Sequence, residues 1–125
     1  MAPKTRKIVR YRVHPDRAEE NAGLIREVFA ELATARPAGL EYAVYRGADQ
    51  LSFTHIVAID PAVGGDPLRA LAAFRAFAAG AKERCDEGPV SVEVTVVGAY
   101  AGPGGEDRAT PPRGGPPPAG PPAAP

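Results

Sequence analysis

One histidine sits where its chemistry would matter. His55 lies in the stretch 51–60, whose odd positions are Leu51, Phe53, His55, Val57 and Ile59. An imidazole on an apolar strand face is a candidate general base, because its ordinary pKa lies close to working pH. A buried ring must also find hydrogen-bond partners. Alternation puts two phenols, Tyr11 and Tyr42, on the same expected face. His55 therefore reads two ways: as the base that deprotonates a bound phenol, or as a core histidine satisfied by a tyrosine or a backbone carbonyl. In either setting burial should hold the ring neutral. Tyr11 and Tyr42 would orient a polar ring substrate or serve His55. Phe53, Phe74 and Phe77 would wall an aromatic cavity or fill an ordinary core.

The remaining reactive side chains offer less. Cys85 is the only cysteine, so no internal disulfide and no multi-cysteine metal site can form. It is expected near a helix end, where the dipole disfavours a thiolate, and reads as a small apolar residue. His14 precedes Pro15 and makes no metal-ligand spacing with His55, so no metal site is expected. Arg10 and Arg12 are expected to pair with Glu41 or Glu93 rather than to bind anions. Arg75 reads as part of a solvated helix face, with a cavity mouth the alternative.

Composition excludes several classes. Lys plus Arg is 15 and Asp plus Glu is 15, for a formal net charge of zero. A general nucleic-acid or anionic-membrane binder would carry a basic excess. No apolar run approaches the roughly 18 residues that span a bilayer. The basic N-terminus leads straight into a strand pattern, unlike a signal peptide. A cytoplasmic protein without nucleic-acid or membrane partners is expected.

Period-2 and period-3.6 patterns give the elements that must position these residues. Residues 7–13 alternate, with Val9, Tyr11 and Val13 on one side. Pro15 ends the strand and Asp16 is placed to cap a helix over 17–36. Leu24, Ile25, Val28, Phe29 and Leu32 form its apolar stripe, and Pro37 and Gly39 stop it. Residues 40–46 and 51–60 are the next strands, joined at Gly47–Gln50. A second helix is expected over 68–86, with Leu71, Phe74, Phe77, Ala78, Ala81 and Cys85 on its apolar side. The last strand is expected over 90–100.

The order β-α-β-β-α-β specifies a ferredoxin-like α+β fold, a four-stranded antiparallel sheet with both helices on one face. The expected helix-side residues are Val9, Tyr11, Tyr42, Val44, Phe53, His55, Val57, Val92 and Val94. The opposite face then carries Ile8, Arg10, Arg12, Ala43, Tyr45, Thr54, Ile56, Ala58, Glu93, Thr95 and Val97. That face is too apolar for water, and a homodimer interface with paired charges would cover it. The domain should occupy 1–101. The segment 102–125 holds 9 of the 15 prolines and 6 of the 14 glycines and no large apolar residue. It has nothing to bury against the entropy of ordering, and reads as a disordered tail.

Two other users of this element order fit poorly. An RNA-recognition motif needs exposed aromatics on its third strand, where this chain has only Phe53, on the helix side. An acylphosphatase needs a phosphate-cradling loop after the first strand, and His14-Pro15-Asp16-Arg17 is not one.

Four stretches carry a better resemblance: 9–21, 38–42, 52–57, and 74–77 together with 83–85. Across about residues 7–100 the chain resembles the antibiotic biosynthesis monooxygenase-like proteins of the dimeric α/β-barrel superfamily. The resemblance implies a homodimer with sheets packed face to face and a ligand cavity between the helices and sheet of each subunit. It implies a cofactor-independent monooxygenase, or a related small-molecule enzyme, acting on an aromatic or quinone-like compound. His55 would be catalytic, and Tyr11, Tyr42, Phe53, Phe74 and Phe77 would bind substrate, with no cofactor. The chain departs from the family in lacking tryptophan, in having Asn21 as its only asparagine, and in having no histidine in 68–86. The last departure argues against haem degradation. A non-catalytic, dimeric small-molecule-binding or stress-associated protein with a degenerate cavity is the alternative.

Overall fold

The computed structural model describes residues 5–103. The expected tail therefore lies almost wholly outside the described residues. The elements are β1 (Thr5–Val13), a 3-10 turn (Pro15–Arg17), α1 (Ala18–Ala35), β2 (Leu40–Arg46), β3 (Ser52–Ile59), α2 (Ala72–Ala79), α3 (Ala81–Arg84) and β4 (Cys85–Thr95). The sheet is antiparallel with strand order β2-β3-β1-β4. This is the ferredoxin-like arrangement expected from the element order.

The register puts the site residues side by side. Val9 pairs with His55, and Tyr11 with Phe53, across β1 and β3. Val44 pairs with His55, and Tyr42 with Val57, across β2 and β3. Because direct partners share a sheet face, these residues all lie on one side. α1 covers them with a stripe of Ala18, Ala22, Ile25 and Val28, all buried. Phe77 of α2, with Leu68 and Leu71 before it, completes the core.

The C-terminal third departs from expectation. The helix expected over 68–86 is three pieces. The Asp66 carboxylate accepts the backbone N–H groups of Leu68 and Arg69 and holds a turn there. α2 starts only after Leu71, which is extended. The Glu31 carboxylate of α1 takes the Ala73 N–H, a cap supplied from 42 residues away. Gly80 then leaves helical geometry (φ −107°, ψ 12°) and separates α2 from α3. Cys85 is consequently the first residue of β4, not a helix residue. At the other end, α1 begins after Arg17 with no side-chain cap, so Asp16 does not cap it.

β4 also presents the opposite face from the one expected. Ser91 pairs with Val9 and Glu93 with Lys7, so Ser91 and Glu93 share the side of His55. Val92 pairs with Ile8 and Val94 with Arg6, on the open face. Alternation in an edge strand reports only that one side is more apolar. Here the open face is itself apolar, through Ile8, Ile56 and Ala43, and it takes the valines. Val97 lies beyond the strand and is fully exposed. The arginine pairs differ as well: Arg6 meets Glu41 at 3.0 Å and Arg12 meets Asp86 at 3.0 Å.

The register of β4 depends on irregular pairing opposite Arg10–Val13. Gly88 lies in that stretch with φ +86°, and a Cβ there would sit 2.9 Å from the Arg10 carbonyl oxygen and 3.2 Å from Tyr11 Cα. A side chain would add both left-handed strain and overlap. Gly88→Ala should lower stability by about 1–3 kcal/mol in urea unfolding. A loss under about 0.5 kcal/mol would mean that the strand relaxes without cost.

Candidate functional site: a buried hydrogen-bond chain under an open cavity

The sheet and α2 enclose a cavity of about 450 Å³. Tyr11, Tyr42, His55 and Phe77 line its inner part, with Phe74 and Val57 as further apolar wall. Lys7, Asp66, Arg69 and Glu93, all exposed, form its rim. The cavity is thus apolar within and charged at the mouth, the general character of a small-molecule site.

His55 is buried, 5% exposed, and both ring nitrogens are engaged. Nε2 meets the Tyr11 hydroxyl at 2.7 Å, and Nδ1 meets the Tyr42 hydroxyl at 2.7 Å. Asn21 Nδ2 donates to the Tyr11 hydroxyl at 2.9 Å. Arg84 Nε donates to Asn21 Oδ1 at 2.9 Å, and its Nη2 donates to the Phe77 carbonyl at 2.7 Å. One continuous line of polar groups therefore runs from α3 through α1, β1 and β3 to β2. Among the described residues no buried side-chain nitrogen or oxygen lacks a partner.

Burial sets the electrostatics. Desolvation pushes the His55 pKa down to about 4, so the ring is neutral at pH 7. The same cause raises both phenols far above their ordinary value; at Tyr11 the Asn21 hydrogen bond and the Arg84 charge oppose it. Both tyrosines stay protonated. Burial also raises the Cys85 thiol, which argues against a nucleophile there. Among the described residues no group of three or more His, Cys, Asp or Glu is placed to hold a metal ion.

The structure brings together Tyr11, Tyr42, His55, Phe74 and Phe77 as the sequence led us to expect. Phe53 is the exception. It is 2% exposed and stacks on Tyr11 at 5.6 Å and 15°, with the Arg46 guanidinium 5.4 Å from its ring centroid, and it does not line the cavity. Two residues along β3 carry it from beneath α2 to beneath α1. His55 offers no bare nitrogen to a ligand; Tyr42 stands between.

Asn21 and Arg84 were missed as site residues. Each is 1% exposed. A signal existed for both. Asn21 occupies a position of the apolar stripe of α1, between Ala18 and Ile25. Arg84 falls seven residues after Phe77, on the same helical face. A polar residue within an apolar stripe is buried and must be paired. Arg84 meets this need without a carboxylate, through neutral acceptors and the Phe77 ring 5.0 Å away.

No family model matches the chain, and no curated protein matches it. Solved structures do. Rv0793 of Mycobacterium tuberculosis superposes with a TM-score of 0.63 at 15% identity, covering 78% of this chain and 99% of that one. A candidate antibiotic biosynthesis monooxygenase from Nitrosomonas europaea gives 0.61 at 16% identity, covering 78% and 93%. An asparagine variant of SnoaB, a cofactor-independent oxygenase from Streptomyces nogalater, gives 0.58 at 18% identity, covering 78% and 97%. The chain therefore shares its ferredoxin-like α+β fold with solved structures that include one named an antibiotic biosynthesis monooxygenase, and the resemblance read from the sequence holds at the level of fold.

The depressed His55 pKa makes stability depend on pH. Between about pH 6.5 and 4 the unfolded chain binds a proton at this ring that the folded chain does not. Stability is full above pH 6.5 and falls as pH drops toward 4, by about 3 kcal/mol from this residue. His55→Phe removes that dependence and strands two phenols, at a cost of about 1–3 kcal/mol at pH 7. Urea unfolding of both proteins from pH 7 to 4 measures this. Equal slopes would show that His55 is not held neutral.

Proposed function

We propose that this protein is a cofactor-independent oxygenase, or a closely related small-molecule enzyme, of the antibiotic biosynthesis monooxygenase type, acting on a phenol- or quinone-like aromatic compound. The observation that carries this reading is the Tyr42–His55–Tyr11 line at the base of a cavity walled by Phe74 and Phe77. A flat aromatic ring fits such walls, and its oxygen would meet Tyr42. The fold likeness to a cofactor-independent oxygenase supports the reading.

The reaction balances without a bound redox group. A phenol that gives up its O–H proton becomes an electron-rich anion. Dioxygen adds at a ring carbon, the O–O bond breaks, one oxygen stays as the new carbonyl and the other leaves as water. The two hydrogens of that water come from the substrate's hydroxyl and its ring C–H. Tyr42, held in place by His55, donates to the reacting oxygen and stabilises it as the anion, the substrate's proton leaving to solvent. Complete transfer from an ordinary phenol (pKa about 10) to a ring near 4 would cost about 8 kcal/mol. His55 therefore does not take the proton outright, and the site favours substrates acidic enough to bind as the anion.

The second reading, a binding protein without catalysis, is favoured by one feature. Every buried polar side-chain atom at the base of the cavity already has a hydrogen-bond partner, as in a site built to hold rather than to react. Oxygen uptake separates the two. Purified protein treated with chelator and given a panel of polycyclic phenols in air should consume oxygen. Tyr42→Phe should slow this about 10²- to 10³-fold, the usual worth of one hydrogen-bond donor to a developing oxyanion. Binding of the panel with no oxygen uptake would establish the non-catalytic reading.

We further propose that the chain works as a homodimer through the open sheet face. Val92, Ile8, Ile56 and Ala43 form one apolar row across all four strands there, and Tyr45 and Val90 beside it are 59% and 64% exposed. Water on such a patch is unfavourable. Ile56→Asp places a charge in the row and should yield a monomer or an unfolded chain. Light scattering that finds the wild-type protein monomeric at micromolar concentration would refute the dimer.

A further inference from the structure

The hydrogen-bond line has a direction, and its far end sets it. Arginine only donates, so the Asn21 atom facing Arg84 Nε must be the oxygen. The amide nitrogen of Asn21 then faces Tyr11 and donates to its hydroxyl oxygen. A tyrosine hydroxyl has a single proton, and Tyr11, 7% exposed, has His55 Nε2 as the only acceptor within reach among the described residues. If Tyr11 accepted from His55 as well as from Asn21, its own buried proton would be left without an acceptor, which is costly. Tyr11 therefore donates to Nε2. A neutral imidazole carries one N–H, so the proton of His55 sits on Nδ1 and is donated to the Tyr42 oxygen. Tyr42 has no other hydrogen-bond partner among the described residues, and its own proton is left for the cavity.

We propose that Arg84 and Asn21 are positioning residues that fix His55 as its Nδ1–H tautomer, so that Tyr42 presents a hydrogen-bond donor and the cavity selects ligands through an acceptor oxygen, a quinone carbonyl or an oxyanion. A second feature points the same way. Arg84 is a buried cation with no carboxylate partner among the described residues, and it sits behind the Tyr11 end of the line. Its charge adds to the Arg17 hydrogen bond in lowering the pKa of Glu20 and opposes the burial-driven rise at Tyr11, so the interior behind the line favours negative charge. The ligand half of this inference rests on the cavity being the binding site proposed above, whereas the tautomer half does not.

The two halves are tested separately. Long-range proton–nitrogen NMR of the ¹⁵N-labelled protein at pH 7, without ligand, tells the protonated ring nitrogen from the bare one. Wild-type His55 should be protonated at Nδ1; protonation at Nε2 overturns the proposal whatever the protein's function. Asn21→Asp should reverse the line with little change of shape. A carboxylate accepts from both Arg84 and Tyr11, so Tyr11 must then accept from His55 Nε2–H, and Nδ1 must accept the proton of Tyr42. The tautomer should switch to Nε2–H, and a folded variant that keeps Nδ1–H overturns the role given to Asn21. If the variant does not fold, the wild-type spectrum and that of Arg84→Met decide. The methionine variant should lose the single tautomer and show both nitrogens partly protonated, and an unchanged pure Nδ1–H signal would remove Arg84 from the mechanism.

For the ligand, 1,4-naphthoquinone only accepts and 1-naphthol both accepts and donates. Asn21→Asp should weaken naphthoquinone about three- to tenfold, the worth of one hydrogen bond, while naphthol is kept. Equal loss of both, with the tautomer switched as expected, would place the ligand away from Tyr42. That result would overturn the ligand half and leave the tautomer assignment standing.

Discussion

A buried guanidinium is the constraint on which the interior depends. Arg84 enters the core at the end of α3 and cannot shed its charge. Its donors must be met inside, by the Phe77 carbonyl and the amide oxygen of Asn21. That contact binds the end of the second helical region to α1. Asn21 then passes its own donor to Tyr11, and the line continues through His55 to Tyr42. Removing any member leaves a buried polar group unpaired, which costs more than a single bond contributes. Five elements of the sheet-and-helix sandwich are thereby tied together at one level, directly beneath the cavity.

The cavity follows from this arrangement. Phe77 makes three contacts with two neighbours. Its carbonyl holds Arg84, its ring lies 5.0 Å from the guanidinium, and the same ring packs 5.3 Å from His55. Phe29 stacks on Tyr42 at 5.1 Å and 6°, which fixes the plane of the Tyr42 ring. The polar atoms of the site are thus held by packed aromatic rings and not by loops. Such a site is stiff before a ligand arrives, which is the condition for selecting by hydrogen-bond direction and not by charge alone.

Most of the site was legible in the sequence, for a definite reason. β1, β2 and β3 lie side by side with regular alternation, so Tyr11, Tyr42 and His55 could be put on one face from parity alone. Phe74 and Phe77 followed from the apolar stripe of their helix. Phe53 obeyed the same parity and still fell outside the cavity, because parity gives the face of a sheet and not the position along it. Asn21 and Arg84 were visible only as polar residues in apolar stripes. What paired them was a separation of 63 residues, and no local pattern carries that.

The sequence by itself determined the element order, the ferredoxin-like fold and the placing of His55 on one sheet face with two phenols. These depend on short-range periodicity, which each segment carries alone. Tertiary structure decided the rest. It ended the helix region at Arg84 instead of Asp86 and began α2 with a cap from Glu31. It also turned the valines of β4 to the open face, because an edge strand takes its register from its neighbour's irregular pairing and not from its own alternation. And it gave the hydrogen-bond line its direction. A direction of donation is a property of a completed chain, set by the one group in it that can only donate.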